Sequence, residues 1–135
     1  MTQYKLIVDK SKQMIYVANK KGRILEKMLC STGSGIERDG YSGITPNGIY
    51  SIRDIVDSKD LSWIGDPTGL RRPYSPWMFT LDYEPEGLAI HGTDEPRKLG
   101  LPVTHGCIRV SKDNVIKLKQ KYVDIGTLVG VIDDN

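Results

Sequence analysis

Tyr4-Lys5-Leu6-Ile7-Val8-Asp9, Gln13-Met14-Ile15-Tyr16-Val17-Ala18 and Ile24-Leu25-Glu26-Lys27-Met28-Leu29-Cys30 are three short runs separated by polar, turn-forming residues. Side chains alternate between the two faces of a strand, so Tyr4, Leu6 and Val8 share one face of the first run, and Ile15 and Val17 alternate in the second. Lys10 to Lys12 is polar. Asn19-Lys20-Lys21-Gly22 reads as a turn, because Asn and Gly tolerate positive φ without the usual Cβ clash. The three runs together predict an antiparallel meander.

Outward from the meander, Thr45-Pro46-Asn47-Gly48 reads as a second turn, with proline pre-setting φ at its second position. Ile49 to Val56, Trp77 to Tyr83, Leu88 to Ile90 and Gly126 to Ile132 read as further strands. Asp57 to Pro76 is irregular and proline-rich, and loops of this length in a small protein are usually functional covers or disordered. Trp63, Tyr74 and Trp77, in or beside it, favour an ordered surface loop. One helix is expected, from Lys112 to about Tyr122. Ser111 caps it by accepting from free N–H groups, and Asp113 places negative charge in the first turn. Val115, Leu118 and Tyr122 fall on one face of that helix. The expectation is a mainly-β, single-domain fold over residues 1–135, with one late α-helix.

A chain of 135 residues and 15.1 kDa buries roughly two thirds of its unfolded surface, enough for one core. Hydrophobic residues make up 39% and charged residues 27%, which excludes a disordered chain. With 19 basic residues against 17 acidic ones there is no basic footprint for nucleic acid. No apolar run approaches the ~18 residues of a membrane span, so no membrane insertion is expected. Met1 to Asp9 reads as the start of a strand, and no basic patch precedes an apolar stretch. No export signal is therefore expected in this sequence. The sequence leaves the oligomeric state open.

The two cysteines, Cys30 and Cys107, are too few for a disulfide framework. Cys30 sits in an apolar strand and reads as a small buried hydrophobe. Cys107 differs, because both histidines of the chain, His91 and His105, lie close upstream of it. Only the thiolate is a strong nucleophile, and a neighbouring imidazole can take the proton to give a thiolate–imidazolium pair. Gly106 leaves room for a carbonyl to approach, and N–H groups around a glycine can cradle a developing oxyanion. Three ligands from His91, His105 and Cys107 are the zinc alternative, weakened by the absence of a second nearby cysteine or a helical Glu motif.

Ile90-His91-Gly92-Thr93, followed by Thr104-His105-Gly106-Cys107-Ile108-Arg109, resembles the signature of the L,D-transpeptidase catalytic domain family (YkuD-type). That signature is His-Gly-Ser/Thr, a variable stretch, then Ser/Thr-His-Gly-Cys and an apolar residue. Ser31-Thr32-Gly33, Thr45-Pro46-Asn47-Gly48-Ile49-Tyr50, Pro76-Trp77-Met78 and Gly126-Thr127-Leu128-Val129 resemble other segments of the family. The likeness therefore runs through nearly the whole chain. Thr104 replaces the commoner Ser and keeps the hydroxyl; Arg109 stands where the stricter pattern has Asn.

The resemblance implies a β-sandwich with its cysteine at the end of a cleft, and an enzyme that cross-links bacterial peptidoglycan without metal or cofactor. It assigns Cys107 as nucleophile, His91 as general base and the Gly92 carbonyl as the group orienting the His91 ring. His105 and Gly106 would shape the oxyanion pocket. Thr104, Arg109 and Trp77 are candidate substrate contacts. For Arg109 a structural ion pair is an equal alternative, and Trp77 is as readily a core residue. The implied partners are a tetrapeptide stem as donor and a second stem's amine as acceptor, outside the cytoplasmic membrane. An L,D-carboxypeptidase with water as acceptor and a non-catalytic wall-binding domain are the competing readings.

Overall fold

The computed structural model describes residues 3–38, 40–83 and 87–133. The strands are β1 (Tyr4–Asp9), β2 (Met14–Asn19), β3 (Ile24–Ser31), β4 (Gly48–Asp57), β5 (Trp77–Leu81), β6 (Ala89–Gly92) and β7 (Ile108–Val110). Helix α1 (Lys112–Lys117) follows, and β8 (Leu128–Ile132) comes last. The part of the first expected strand at Met1 and Thr2 lies outside the described residues.

β1, β2 and β3 form the expected meander, with Leu6 opposite Val17 and Ile15 opposite Met28. All four of these side chains are buried. The turn at Asn19 forms as its residue types require. Gly22 takes φ +82°, its N–H donates to the Asn19 carbonyl at 3.0 Å, and the Asn19 side chain accepts from the Lys21 and Arg23 N–H groups.

The sheet differs from the expected sandwich. Its strands close in the order β1-β2-β3-β7-β6-β5-β4-β8, with β8 returning to β1. The cause is visible in β3 and β4. β3 pairs with β2 along most of its length and with β7 only at Cys30 and Ser31. β4 pairs with β8 from Gly48 to Ser51 and with β5 from Ile52 onward. Each strand thus passes from one layer to the other, and the two layers of a sandwich become one closed sheet with no free edge. β8 lies between β1, to which it runs parallel, and β4, to which it runs antiparallel. Phe79, Ile90, Ile108, Val110 and Cys30 are fully buried in the core.

Two local expectations are corrected. Thr45-Pro46-Asn47-Gly48 makes no turn; it runs as irregular chain into β4, because the Thr45 hydroxyl is engaged elsewhere, at Gly33 and Gly106. The helix is α-helical only to Lys117 and continues as a wider π-helical stretch over Leu118–Tyr122. There the Tyr122 ring meets Tyr4 edge-on at 5.0 Å and its hydroxyl donates to Glu26 at 2.7 Å. The N-cap is as expected: the Ser111 hydroxyl accepts from the Asn114 N–H at 3.0 Å. No helix among the described residues is long and apolar enough to cross a membrane.

Candidate active site

β6 and β7 are adjacent and parallel, with Ile90 opposite Ile108 and His91 opposite Arg109. Ile90, Ile108 and Val110 point into the core and are fully buried. Alternation therefore turns His91 and Arg109 to the opposite face, and Cys107, immediately before β7, shares it. On the other side of β6, Met78 of β5 stands opposite His91. These four side chains line a cleft of about 910 Å³, together with Tyr74, His105 and neighbouring residues. The buried Ile90 before His91 and the buried Ile108 between Cys107 and Arg109 fix this face.

His91 is buried, and its Nδ1 lies 2.6 Å from the Gly92 carbonyl oxygen. A carbonyl only accepts, so the proton is assigned to Nδ1 and Nε2 carries the free lone pair. Burial drives the ring's pKa down to about 4, aided by the Arg109 charge and opposed by the Gly92 and Pro73 carbonyls. At neutral pH His91 is thus a neutral acceptor with a fixed tautomer. The Tyr74 ring stands edge-on to it at 5.1 Å.

Gly92 has a further requirement. A Cβ there would collide with the Ser75 carbonyl oxygen and crowd the Pro76 ring at 3.3 Å, with backbone on the colliding side. Gly92→Ala is expected to cost about 1–3 kcal/mol of stability, the range for overpacking. Gly130→Ala, where a Cβ meets nothing within 4 Å, should change little. Urea denaturation midpoints of the two variants check this contrast.

The Cys107 thiol donates to the Gly87 carbonyl at 3.0 Å. Burial pushes its pKa up, against the opposing effects of the Ala89 N–H and the Arg109 charge. Burial thus disfavours charge on both the thiol and the imidazole.

The turn before the thiol is tightly braced. The Thr104 hydroxyl donates to the Cys107 carbonyl at 2.6 Å and accepts from the Gly106 N–H at 3.0 Å. The expected oxyanion donor at Gly106 is thus already engaged. Gly106 contributes conformation instead, with φ +138°. His105 lines the cleft, and its ring meets Tyr41 at 5.2 Å.

Arg109 lines the cleft and sits 3.6 Å from Glu95, the ion pair that was its structural alternative. Glu95 is shared with Lys98 at 2.8 Å and Arg71 at 3.3 Å. Arg71 makes two bonds of 3.0 Å to Asp94 and stacks over Trp63, which pins the long loop beside the His91 motif. Of the two readings of Trp77, the structure has the core one: it is absent from the cleft lining and packs against the core, with Lys119 over its ring at 4.7 Å. Strand alternation sends Trp77 and Phe79 to one face and Met78 to the other. Among the described residues no three His, Cys, Asp or Glu side chains come close enough to share a metal ion, so the zinc arrangement is not assembled.

Sequence reasoning missed Tyr41, Met78, Gly87 and the Arg71–Asp94–Glu95 group. For Met78 the signal was present in the alternation Trp77-Met78-Phe79. For Asp94 and Glu95 it was the pair of acids just after His91-Gly92-Thr93.

A buried imidazole with its Nδ1 on a backbone carbonyl and a thiol thus lie on one face of adjacent parallel strands of the closed β-sheet. Residues 3–131 match the L,D-transpeptidase catalytic domain, and the chain belongs to that family. Its fold is similar to that of an L,D-transpeptidase from Xylanimonas cellulosilytica, with TM-score 0.72 and 24% identity over 97% of this chain and 61% of that one. It is similar also to L,D-transpeptidase 3 from Mycobacterium tuberculosis, solved with a faropenem-derived adduct (TM-score 0.73, 22% identity, 98% of this chain and 61% of that one). Another M. tuberculosis L,D-transpeptidase gives TM-score 0.72 at 23% identity, over 98% of this chain and 58% of that one. The chain thus spans about 60% of these solved chains. No curated protein matches it.

Proposed function

We propose that this protein is a peptidoglycan L,D-transpeptidase that forms 3→3 cross-links through a thioester on Cys107. The observation that carries the reading is the His91 ring: its Nδ1 lies against the Gly92 carbonyl, which leaves Nε2 as the proton acceptor, and the ring shares a sheet face with Cys107. The thiol first turns from Gly87 toward that nitrogen, an adjustment typical of unliganded sites.

Sγ then attacks the carbonyl carbon of the third stem residue as its proton passes to His91 Nε2. The carbonyl electron pair moves onto oxygen. When it returns, the bond to the terminal D-alanine breaks, and His91 gives the proton to the departing amine. The side-chain amine of a second stem attacks the thioester and loses its proton to His91. The sulfur leaves and recovers that proton, regenerating the thiol. Arg109 offers a planar fork to a substrate carboxylate. The substrate class places the site of action outside the cytoplasmic membrane.

Transfer, rather than hydrolysis, is favoured by the loop that Arg71 pins beside the cleft and that contributes to its lining, because an amine must be held in line and water limited. A disaccharide-tetrapeptide donor with excess acceptor is expected to give mainly 3→3 dimers, with tripeptide as the minor product. Tripeptide alone, read by mass spectrometry, would replace this reading with a carboxypeptidase.

A further inference from the structure

Thr45 belongs to neither the His91 nor the Cys107 motif, yet its hydroxyl reaches the nucleophile's turn. It is buried, donates to the Gly106 carbonyl at 2.6 Å and accepts from the Gly33 N–H at 2.8 Å. The direction is not ambiguous. Gly33 offers only a donor and Gly106 only an acceptor, so the single hydroxyl hydrogen must point at Gly106.

The Gly106 carbonyl and the Cys107 N–H are the two ends of one planar amide. This peptide is trans, since Ser75–Pro76 is the only cis bond noted among the described residues. Fixing the carbonyl at one end therefore aims the N–H at the other. A hydrogen bond to the carbonyl also polarises the amide and makes its N–H a stronger donor. The preceding N–H, on Gly106, is already held by Thr104. The amide that Thr45 holds is thus the one bearing the nucleophile's own N–H.

The brace is itself anchored. Lys10 Nζ donates to the Thr45 carbonyl at 2.8 Å, and Gly33 forms a parallel bridge with Thr104. The turn also packs closely against the segment that carries Thr45: a Cβ added at Gly106 would meet the Ile44 carbonyl oxygen at 2.9 Å.

We infer that Thr45 is a positioning residue for the oxyanion: through the Gly106–Cys107 amide it orients and strengthens the Cys107 N–H that receives the developing negative charge. The inference rests on the acyl-transfer reading above and names a residue that reading does not require.

Two reactions at the same sulfur test it. Iodoacetamide alkylates Cys107 by displacement of iodide, with no oxyanion; a carbapenem acylates it by carbonyl attack, which forms one. Cys30 is buried with its pKa pushed up to about 12, so Cys107 is the reactive thiol. Thr45→Val should slow acylation about 10-fold relative to alkylation, less than the ~100-fold typical of losing an oxyanion donor outright. Thr45→Ser, which keeps the hydroxyl, should restore the ratio. An unchanged ratio in Thr45→Val overturns the inference. If Thr45→Val does not fold, Thr45→Ser and Thr45→Ala still decide it: an equal ratio in the two overturns it. Wild-type protein that is alkylated but never acylated would overturn the transpeptidase reading itself, a distinct result.

Discussion

Cys107→Ala is expected to abolish both turnover and the mass adduct left by a carbapenem, while Cys30→Ala keeps both. The two thiols differ in everything that governs reactivity. Cys30 is fully enclosed, in register with Val110 in the core, and its pKa is pushed up to about 12 by burial and by the Asp9 charge. Cys107 borders the cleft and lies on the face that carries His91 and Arg109. Cys30→Ala removes one buried sulfur and should cost only modest stability. Intact-mass measurement after carbapenem treatment is the check, and an adduct on folded Cys107→Ala protein would remove the assignment.

His91→Ala should slow acylation by at least ~100-fold, the usual cost of a lost general base. The pH profile should then identify the base. With its pKa near 4, the ring accepts a proton only in more acidic solution than an ordinary histidine would. The acid limb of single-turnover acylation is therefore expected near pH 4 rather than near 6.5. A normal rate in folded His91→Ala protein would move the role to His105.

Stability follows the same group with a definite sign. His91 binds fewer protons folded than unfolded between pH 4 and 6.5, so its contribution is whole above 6.5 and is lost as pH falls toward 4. That loss amounts to about 3 kcal/mol between pH 7 and 4. His91→Gln should show a correspondingly shallower decline in denaturation midpoint over that range.

The elements legible in the sequence are those set by local chemistry. The meander follows from alternation and the Asn19–Gly22 turn, the helix start from Ser111, and the burial of Cys30 from its apolar strand. The His91 and Cys107 motifs were legible as short strings, each flanked by apolar residues that orient it. What escaped depends on partners distant in the chain. Thr45-Pro46-Asn47-Gly48 has the composition of a turn, but a tertiary hydrogen bond to Gly106 holds it open. The closure of the sheet depends on β3 and β4 changing neighbours midway, which no local pattern encodes. Trp77 was left open between cleft and core, although the period of its strand assigns it to the Phe79 face.

The insertion of β8 between β1 and β4 bears on how the protein is made. During synthesis β1 and β4 emerge before β8, so each waits with unpaired backbone until β8 follows. Throughout that interval the nascent chain presents two open edges to its neighbours, the state in which strands most readily pair with the wrong molecule. A chaperone that shields those edges until β8 has emerged would raise the yield of folded protein.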